Sequence, residues 1–186
     1  MRPRVVAALL ATGTSTPPQL RALATQICAA SCERVAVVLG ANAGSIAPAM
    51  TGLPVAIVTN VLWADGPSSA IRCAVAWALR TGCDGLLLTS CDEPLLTGDP
   101  LLTTAHVENL LAAFADSHEI AASRTLSVSA GGLASYHASS PGLPAIFHRA
   151  HFARLAALTG EATPNTVVST SALVTTVDAP SNREAA

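Results

Sequence analysis

The feature that most constrains this chain is a recurrence of short apolar runs, at 5–11, 35–39, 55–59, 85–89, 120–123 and 174–177, separated by stretches with helical periodicity. Several of these runs are continuous rather than alternating, VVAALLA and GLLLT among them. A strand that is apolar at every position needs cover on both faces, as strands of a parallel sheet between helices have. Helical patterns at 19–30, 68–80, 104–116 and 151–158 supply that cover. The alternation predicts an α/β fold with a mostly parallel sheet. Length supports one unit over 1–186: a chain of 186 residues, 51% of them apolar, builds one sizeable core. Residues 180–186 read as a frayed polar tail. The Ser-, Gly- and Ala-rich segment 127–141 breaks the alternation and reads as a loop or an edge hairpin.

Charge narrows the partners. A formal net charge of −2, with no block of like charges, leaves no electrostatic footprint for nucleic acid or an acidic membrane surface. All ten basic residues are arginines, so a mechanism that needs a lysine ammonium is excluded. Cys28, Cys32, Cys73, Cys83 and Cys91 are odd in number, form no C-x-x-C pair and sit mostly in apolar segments. That usage fits a reducing cytoplasm. The N-terminal apolar run is at the short limit for a secretory signal and lacks a clear cleavage site. No apolar stretch approaches the roughly 20 residues that cross a bilayer.

In open parallel sheets ligands bind beyond the carboxyl ends of the strands, which directs attention to the loops at 11–18, 60–69 and 90–96. In the first, Gly13 with Thr14, Ser15 and Thr16 is either a backbone cradle for phosphate beside a helix start near Pro18 or Gln19, or an ordinary strand-to-helix turn. Neither a P-loop nor a dinucleotide fingerprint is present. In the second, Gly66 precedes Ser68 and Ser69, which cap a helix or present it to a ligand, with Arg72 one turn further in. Trp63 either stacks on a ligand or packs beneath its loop. In the third, Asp92 follows an apolar strand and is either a Mg²⁺ ligand or a turn residue. The pairs Cys28/Cys32 and His148/His151 read as packing and surface residues, since each offers a metal only two ligands.

These loops, in this order, resemble the MobA-like nucleotidyltransferases, especially their molybdenum-cofactor cytidylyltransferase branch. The matching residues are Leu10-Ala11-Thr12-Gly13-Thr14-Ser15, then Asn60, Trp63, Gly66, Ser68 and Ser69, then Asp92-Glu93-Pro94. Gly142-Leu143-Pro144-Ala145-Ile146-Phe147, Leu158-Thr159-Gly160-Glu161 and Val177-Asp178-Ala179-Pro180 follow. The resemblance implies a three-layer α/β/α domain, Rossmann-like and of the nucleotide-diphospho-sugar transferase type. It implies transfer of a nucleoside monophosphate from CTP or GTP, with Mg²⁺, to a phosphate-bearing acceptor such as molybdopterin, releasing pyrophosphate. It assigns the metal to Asp92, helped by Asp178, and the nucleotide to Leu10, Ala11, Thr12, Gly13, Thr14, Ser15, Asn60, Gly66, Ser68 and Ser69. Gly142 and Pro144 would shape the acceptor side.

The departures fall on charged positions. The family loop continues R-M-G-x-x-K where this chain has Thr16-Pro17-Pro18-Gln19, Glu161 replaces an Asp, and Thr176 and Asn182 stand where the last motif carries acids. Loss of one preorganised contact to a transition state costs on the order of 10²- to 10³-fold in rate. Arg21 and Arg72 are the basic residues nearest the site in sequence and are expected to act in place of the missing cations. Two functions follow: an active, Mg²⁺-dependent transferase, or a catalytically silent relative that binds nucleotide or molybdopterin and delivers cofactor to a molybdoenzyme or its chaperone.

Overall fold

The apolar runs become strands: the central ones bury both faces, whereas those at 55–59 and 174–178, at the two edges, hold no fully buried residue. In the computed structural model, which describes residues 2–11, 15–90, 102–117, 119–124, 126–127, 137–138 and 141–179, they supply six strands of a seven-stranded sheet. These are β1 (Val5–Leu10), β2 (Arg34–Leu39), β3 (Val55–Thr59), β4 (Gly85–Ser90), β5 (Ile120–Arg124) and β9 (Val174–Asp178). Between β5 and β9 the chain adds a separate two-stranded ribbon, β6 (Leu126–Ser127) with β7 (His137–Ala138), and then β8 (Gly142–His148). The sheet order is β3-β2-β1-β4-β8-β5-β9. All neighbours run parallel except β8, which is antiparallel to both β4 and β5.

β8 is the strand that sequence reasoning did not identify. Pro144 interrupts its pattern, and proline within an interior strand removes a ladder donor. The structure accommodates it with a register shift between Ala122 and Ser123 on β5, opposite that proline. The helices are α1 (Pro17–Cys28), α2 (Ala43–Ile46), α3 (Pro67–Thr81), α4 (Thr104–Ser117), α5 (Phe152–Ala156) and α6 (Pro164–Ser169). The helix expected over 151–158 is shorter, a 3₁₀ turn at Arg149–His151 running into α5.

Alternation along β1 divides the core. Val5, Ala7 and Leu9 pack against Leu20, Leu23 and Ile27 of α1 and Val107, Leu110 and Phe114 of α4. Val6, Ala8 and Leu10 face Ile71, Ala74 and Ala78 of α3, with Phe152, Leu155 and Val167 beyond. Each such large side chain, when fully buried, contributes about 1.5–3 kcal/mol. From β1 the chain adds β2 and β3 on one side and then β4 on the other, so winding reverses between β1 and β4. That reversal opens a crevice at the carboxyl ends of the strands.

Candidate functional site

The loop after β3 is built around one buried amide. Asn60 donates from Nδ2 to the Ser69 hydroxyl at 2.7 Å, and its Oδ1 accepts the Leu62 N–H at 3.1 Å. Ser69 in turn donates to the Gly66 carbonyl at 2.7 Å. This chain of bonds ties the 60–66 segment to the start of α3. Gly66, at φ +91° and ψ 179°, takes the cap position that the serines were expected to hold. A Cβ there would sit 2.7 Å from the Gly160 carbonyl oxygen, so only glycine lets the two loops meet. Trp63 seats against Gly40, where a Cβ would approach the Trp63 Cβ to 2.8 Å.

A cavity of about 450 Å³ lies where the carboxyl ends of β1, β2, β3 and β4 converge. Its floor includes Leu10, Ala11, Gly40, Asn42, Asn60 and Ser90. Trp63, Gly66 and Pro67 form one wall, with Leu143, Thr163 and Pro164 completing the lining. None of the lining residues among the described residues is charged. The size falls within the range of small-molecule sites, roughly 300–1,000 Å³.

The expected residues divide sharply. Leu10, Ala11, Asn60 and Gly66 line the cavity, and Ser15 is buried ahead of α1. Thr12, Gly13, Thr14 and Asp92 lie outside the described residues. Ser68 and Ser69 are buried and bonded within the scaffold rather than lining the cavity. Gly142 and Pro144 flank Leu143 but do not line the cavity themselves. The Pro144 carbonyl accepts the Ser123 hydroxyl at 2.7 Å, and that hydroxyl meets His106 Nε2 at 2.8 Å. His106 Nδ1 is buried without a partner among the described residues, and burial lowers the imidazole pKa.

Both arginines expected to face phosphate hold carbonyls. Arg21 bonds the carbonyls of Ala49 and Thr51, the latter at 3.0 Å. Arg72 bonds the Leu158 carbonyl at 2.8 Å and the Ser68 hydroxyl at 3.2 Å, tying α3 to the 158–161 loop. The two helix starts, each read from sequence as either a ligand cradle or an ordinary capped turn, have their first-turn groups engaged within the chain. Pro17 and Pro18 bring no N–H to the first turn of α1, Leu20 donates to Thr16, and Gln19 Oε1 accepts both the N–H and the hydroxyl of Thr16. At α3, Pro67 has no N–H, while Ser68 and Ser69 donate to the carbonyls of Gly160 and Gly66.

For a metal, the described residues contain no group of three or more His, Cys, Asp and Glu side chains able to hold an ion. Mg²⁺ needs only one or two carboxylates when substrate phosphates complete its shell, so Asp92 carries that possibility from sequence alone. Asp178 ends β9 and pairs with Arg124 at 2.8 Å. β9 stands three positions from β4 in the sheet, about 14 Å at ~4.8 Å per strand. Cys32 is pushed up to about 12, chiefly by burial, and burial also raises Cys28, so these thiols behave as packing groups. His148 is the last residue of β8, and His151, three positions on, pairs with Glu119 at 3.0 Å.

Sequence reasoning missed Gly40 and Asn42, although the rule that flagged the other loops applies to the carboxyl end of β2. Thr163 and Pro164 had no local signal, because they reach the cavity only through folding of the 158–163 loop onto α3.

Comparison with known proteins places this geometry. The family model described as the MobA-like NTP transferase domain matches residues 8–176. No curated protein matches. Among solved structures, Rv0371c from Mycobacterium tuberculosis H37Rv is 22% identical with a TM-score of 0.64, over 94% of this chain and 88% of that one. The same protein has been solved in complex with manganese, at 20% identity and a TM-score of 0.61 over 96% and 89% of the two chains. A nucleotidyl transferase from Methanothermobacter is 15% identical with a TM-score of 0.65, over 96% and 88%. CMP:2-keto-3-deoxy-manno-octonic acid synthetase complexed with CTP is 13% identical with a TM-score of 0.58, over 94% and 89%. At these identities the likeness is one of fold. No helix among the described residues is long and apolar enough to cross a membrane.

Proposed function

Because this chain belongs to the MobA-like NTP transferase domain family, we propose that it moves a nucleoside monophosphate from CTP or GTP to a phosphate-bearing acceptor, molybdopterin, in the cytoplasm. The observation that carries this reading is the cavity at the point where the sheet reverses its winding, about 450 Å³ in volume and with no charge among its described lining residues. Its size and neutrality suit a base and ribose. Ser90 contributes to its lining, and Asp92 follows two positions later in the sequence.

In the reaction, an acceptor phosphate oxygen forms a bond to the α-phosphorus of the nucleotide as the bond to the leaving pyrophosphate breaks. Catalysis of this kind is mostly positioning and charge stabilisation. Leu10, Ala11 and the 60–66 loop hold the nucleoside, and the Leu143 region, between Gly142 and Pro144, bounds the acceptor side. Asp92 would hold a Mg²⁺ ion, which would supply charge neutralisation for the phosphates; the manganese complex of Rv0371c supports a divalent ion. Arg21, Arg72 and Asp178 would each have to leave the partners described above to share in that task.

That last point favours a second reading: a silent relative that binds nucleotide or molybdopterin and delivers it to a molybdoenzyme or its chaperone. Closed helix starts and engaged arginines leave the described part of the site without a cation for a triphosphate.

The deciding experiment incubates the protein with CTP or GTP, molybdopterin and Mg²⁺ and follows pyrophosphate. An active transferase releases it, and Asp92→Ala abolishes the release. Binding of nucleotide or molybdopterin without turnover selects the silent relative, and absence of binding to either overturns both.

A further inference from the structure

β3 is one edge of the sheet, and its outer side has a definite pattern. Asn60 donates its N–H to the Leu39 carbonyl at 2.7 Å on β2. In a parallel ladder the direction alternates, so Ala56 and Val58 turn their main-chain groups toward β2, and Ile57 and Thr59 turn theirs outward. The Val55 N–H is taken locally by the Leu53 carbonyl at 2.8 Å, leaving its carbonyl outward.

The side chains there are apolar. Ile57 is 42% exposed, and Val61, Leu62 and Trp63 directly after the strand are 79%, 56% and 54% exposed. From Val35 through Ala64 the sequence contains no charged residue. The other edge, β9, differs: Thr175 and Thr176 are exposed and Asp178 is paired with Arg124. Edges that face water are normally protected by charge, proline or a bulge. β9 carries charge, while Val55–Thr59 carries none of these.

We propose that the β3 edge pairs antiparallel with β3 of a second copy of this chain, with the two-fold axis at Ile57, joining two sheets into one. In that register Ile57 faces Ile57 and Val55 faces Thr59. Each Ile57 N–H then meets the other copy's Ile57 carbonyl, and each Thr59 N–H meets a Val55 carbonyl, so every free outward donor finds an acceptor; the Thr59 carbonyl is left to water, because the Val55 N–H is held by Leu53. The occupant is a second copy because a two-fold contact sets one surface against itself, and an uncharged apolar edge is its own complement. The same register carries Val61 and Leu62 of each copy alongside the 51–54 turn of the other.

Sedimentation equilibrium over a wide concentration series tests this on the full chain. The wild type gives twice the chain mass at high concentration and dissociates on dilution. Ile57→Lys places a charge on the axis, and Thr59→Pro removes an outward donor without touching the β2 ladder; each reduces the mass to that of one chain while circular dichroism is unchanged. As a check independent of those variants, Ile57→Cys forms a covalent dimer with oxidised glutathione, since facing residues of a bonded antiparallel pair lie about 5.5 Å apart, within disulfide reach. A wild type that stays one chain at every concentration, a dimer that survives both substitutions, or an Ile57→Cys chain that does not cross-link overturns the proposal, including in favour of a strand from another protein.

Discussion

Replacing Gly66 with alanine tests the architecture of the cavity wall most directly. At φ +91° and ψ 179° the backbone occupies a region that is nearly restricted to glycine, with a strain cost of about 1–3 kcal/mol for another residue. The new Cβ would also lie 2.7 Å from the Gly160 oxygen and 2.9 Å from its carbonyl carbon, both main-chain atoms that no rotamer change can remove. Forcing extra volume into such a contact costs about 1–3 kcal/mol more. The total is about 4 kcal/mol, which at ~2–4 °C per kcal/mol for a chain of this size lowers Tm by roughly 8–16 °C. Because the displaced Gly160 carbonyl is also the acceptor of the Ser68 N–H, the start of α3 moves with it and nucleotide affinity falls. Gly160→Ala is the control: its φ is +56° but nothing lies within 4 Å of the added carbon, so it carries only the left-handed penalty of about 1–2 kcal/mol. Urea melts of both variants, with nucleotide titrations followed by the fluorescence of Trp63, measure the difference. If Gly66→Ala is no less stable than Gly160→Ala, the close approach of the two loops is not what requires the glycine.

Two further perturbations probe groups whose roles the structure changed or revealed. Arg72→Met loses charged hydrogen bonds to the Leu158 carbonyl and Ser68 hydroxyl and is expected to destabilise the protein by about 1.5–3 kcal/mol in urea melts; lost turnover at unchanged stability would instead make the arginine a substrate contact. His106 has a pKa lowered by burial, so the unfolded chain binds its proton more readily than the folded one. Stability is therefore full above the unfolded imidazole pKa of about 6.5 and declines as pH falls below it toward the folded value. Thermal melts between neutral and acidic pH show this decline, and it flattens in His106→Gln.

Much of the fold was legible because burial on both faces writes itself into composition. VVAALL and GLLLTS need no partner information to be read as interior parallel strands. β8 was illegible for the opposite reason: GLPAIFH contains a proline whose place in a ladder depends on the register shift of its neighbour. At the site, the glycine-to-serine spacing that flagged the 60–69 loop reflected a real construction, since the Ser69 hydroxyl joins Asn60 to Gly66. Their work is to build the wall, with only Asn60 and Gly66 also lining the cavity.

What the sequence determined by itself is the layered α/β plan, the order of the loops that surround the cavity and the absence of lysine, all of which are properties of residue type and local period. What only the tertiary structure decided is the destination of polar groups. Arg21 and Arg72 are as fit for phosphate as for a carbonyl until folding brings the ends of distant loops within reach, and hydrogen bonding then takes the nearer acceptor. The same holds for the helix starts, where a carbonyl from Gly160, some ninety positions away in the chain, closes α3. Local pattern specifies which groups exist; packing specifies what they meet.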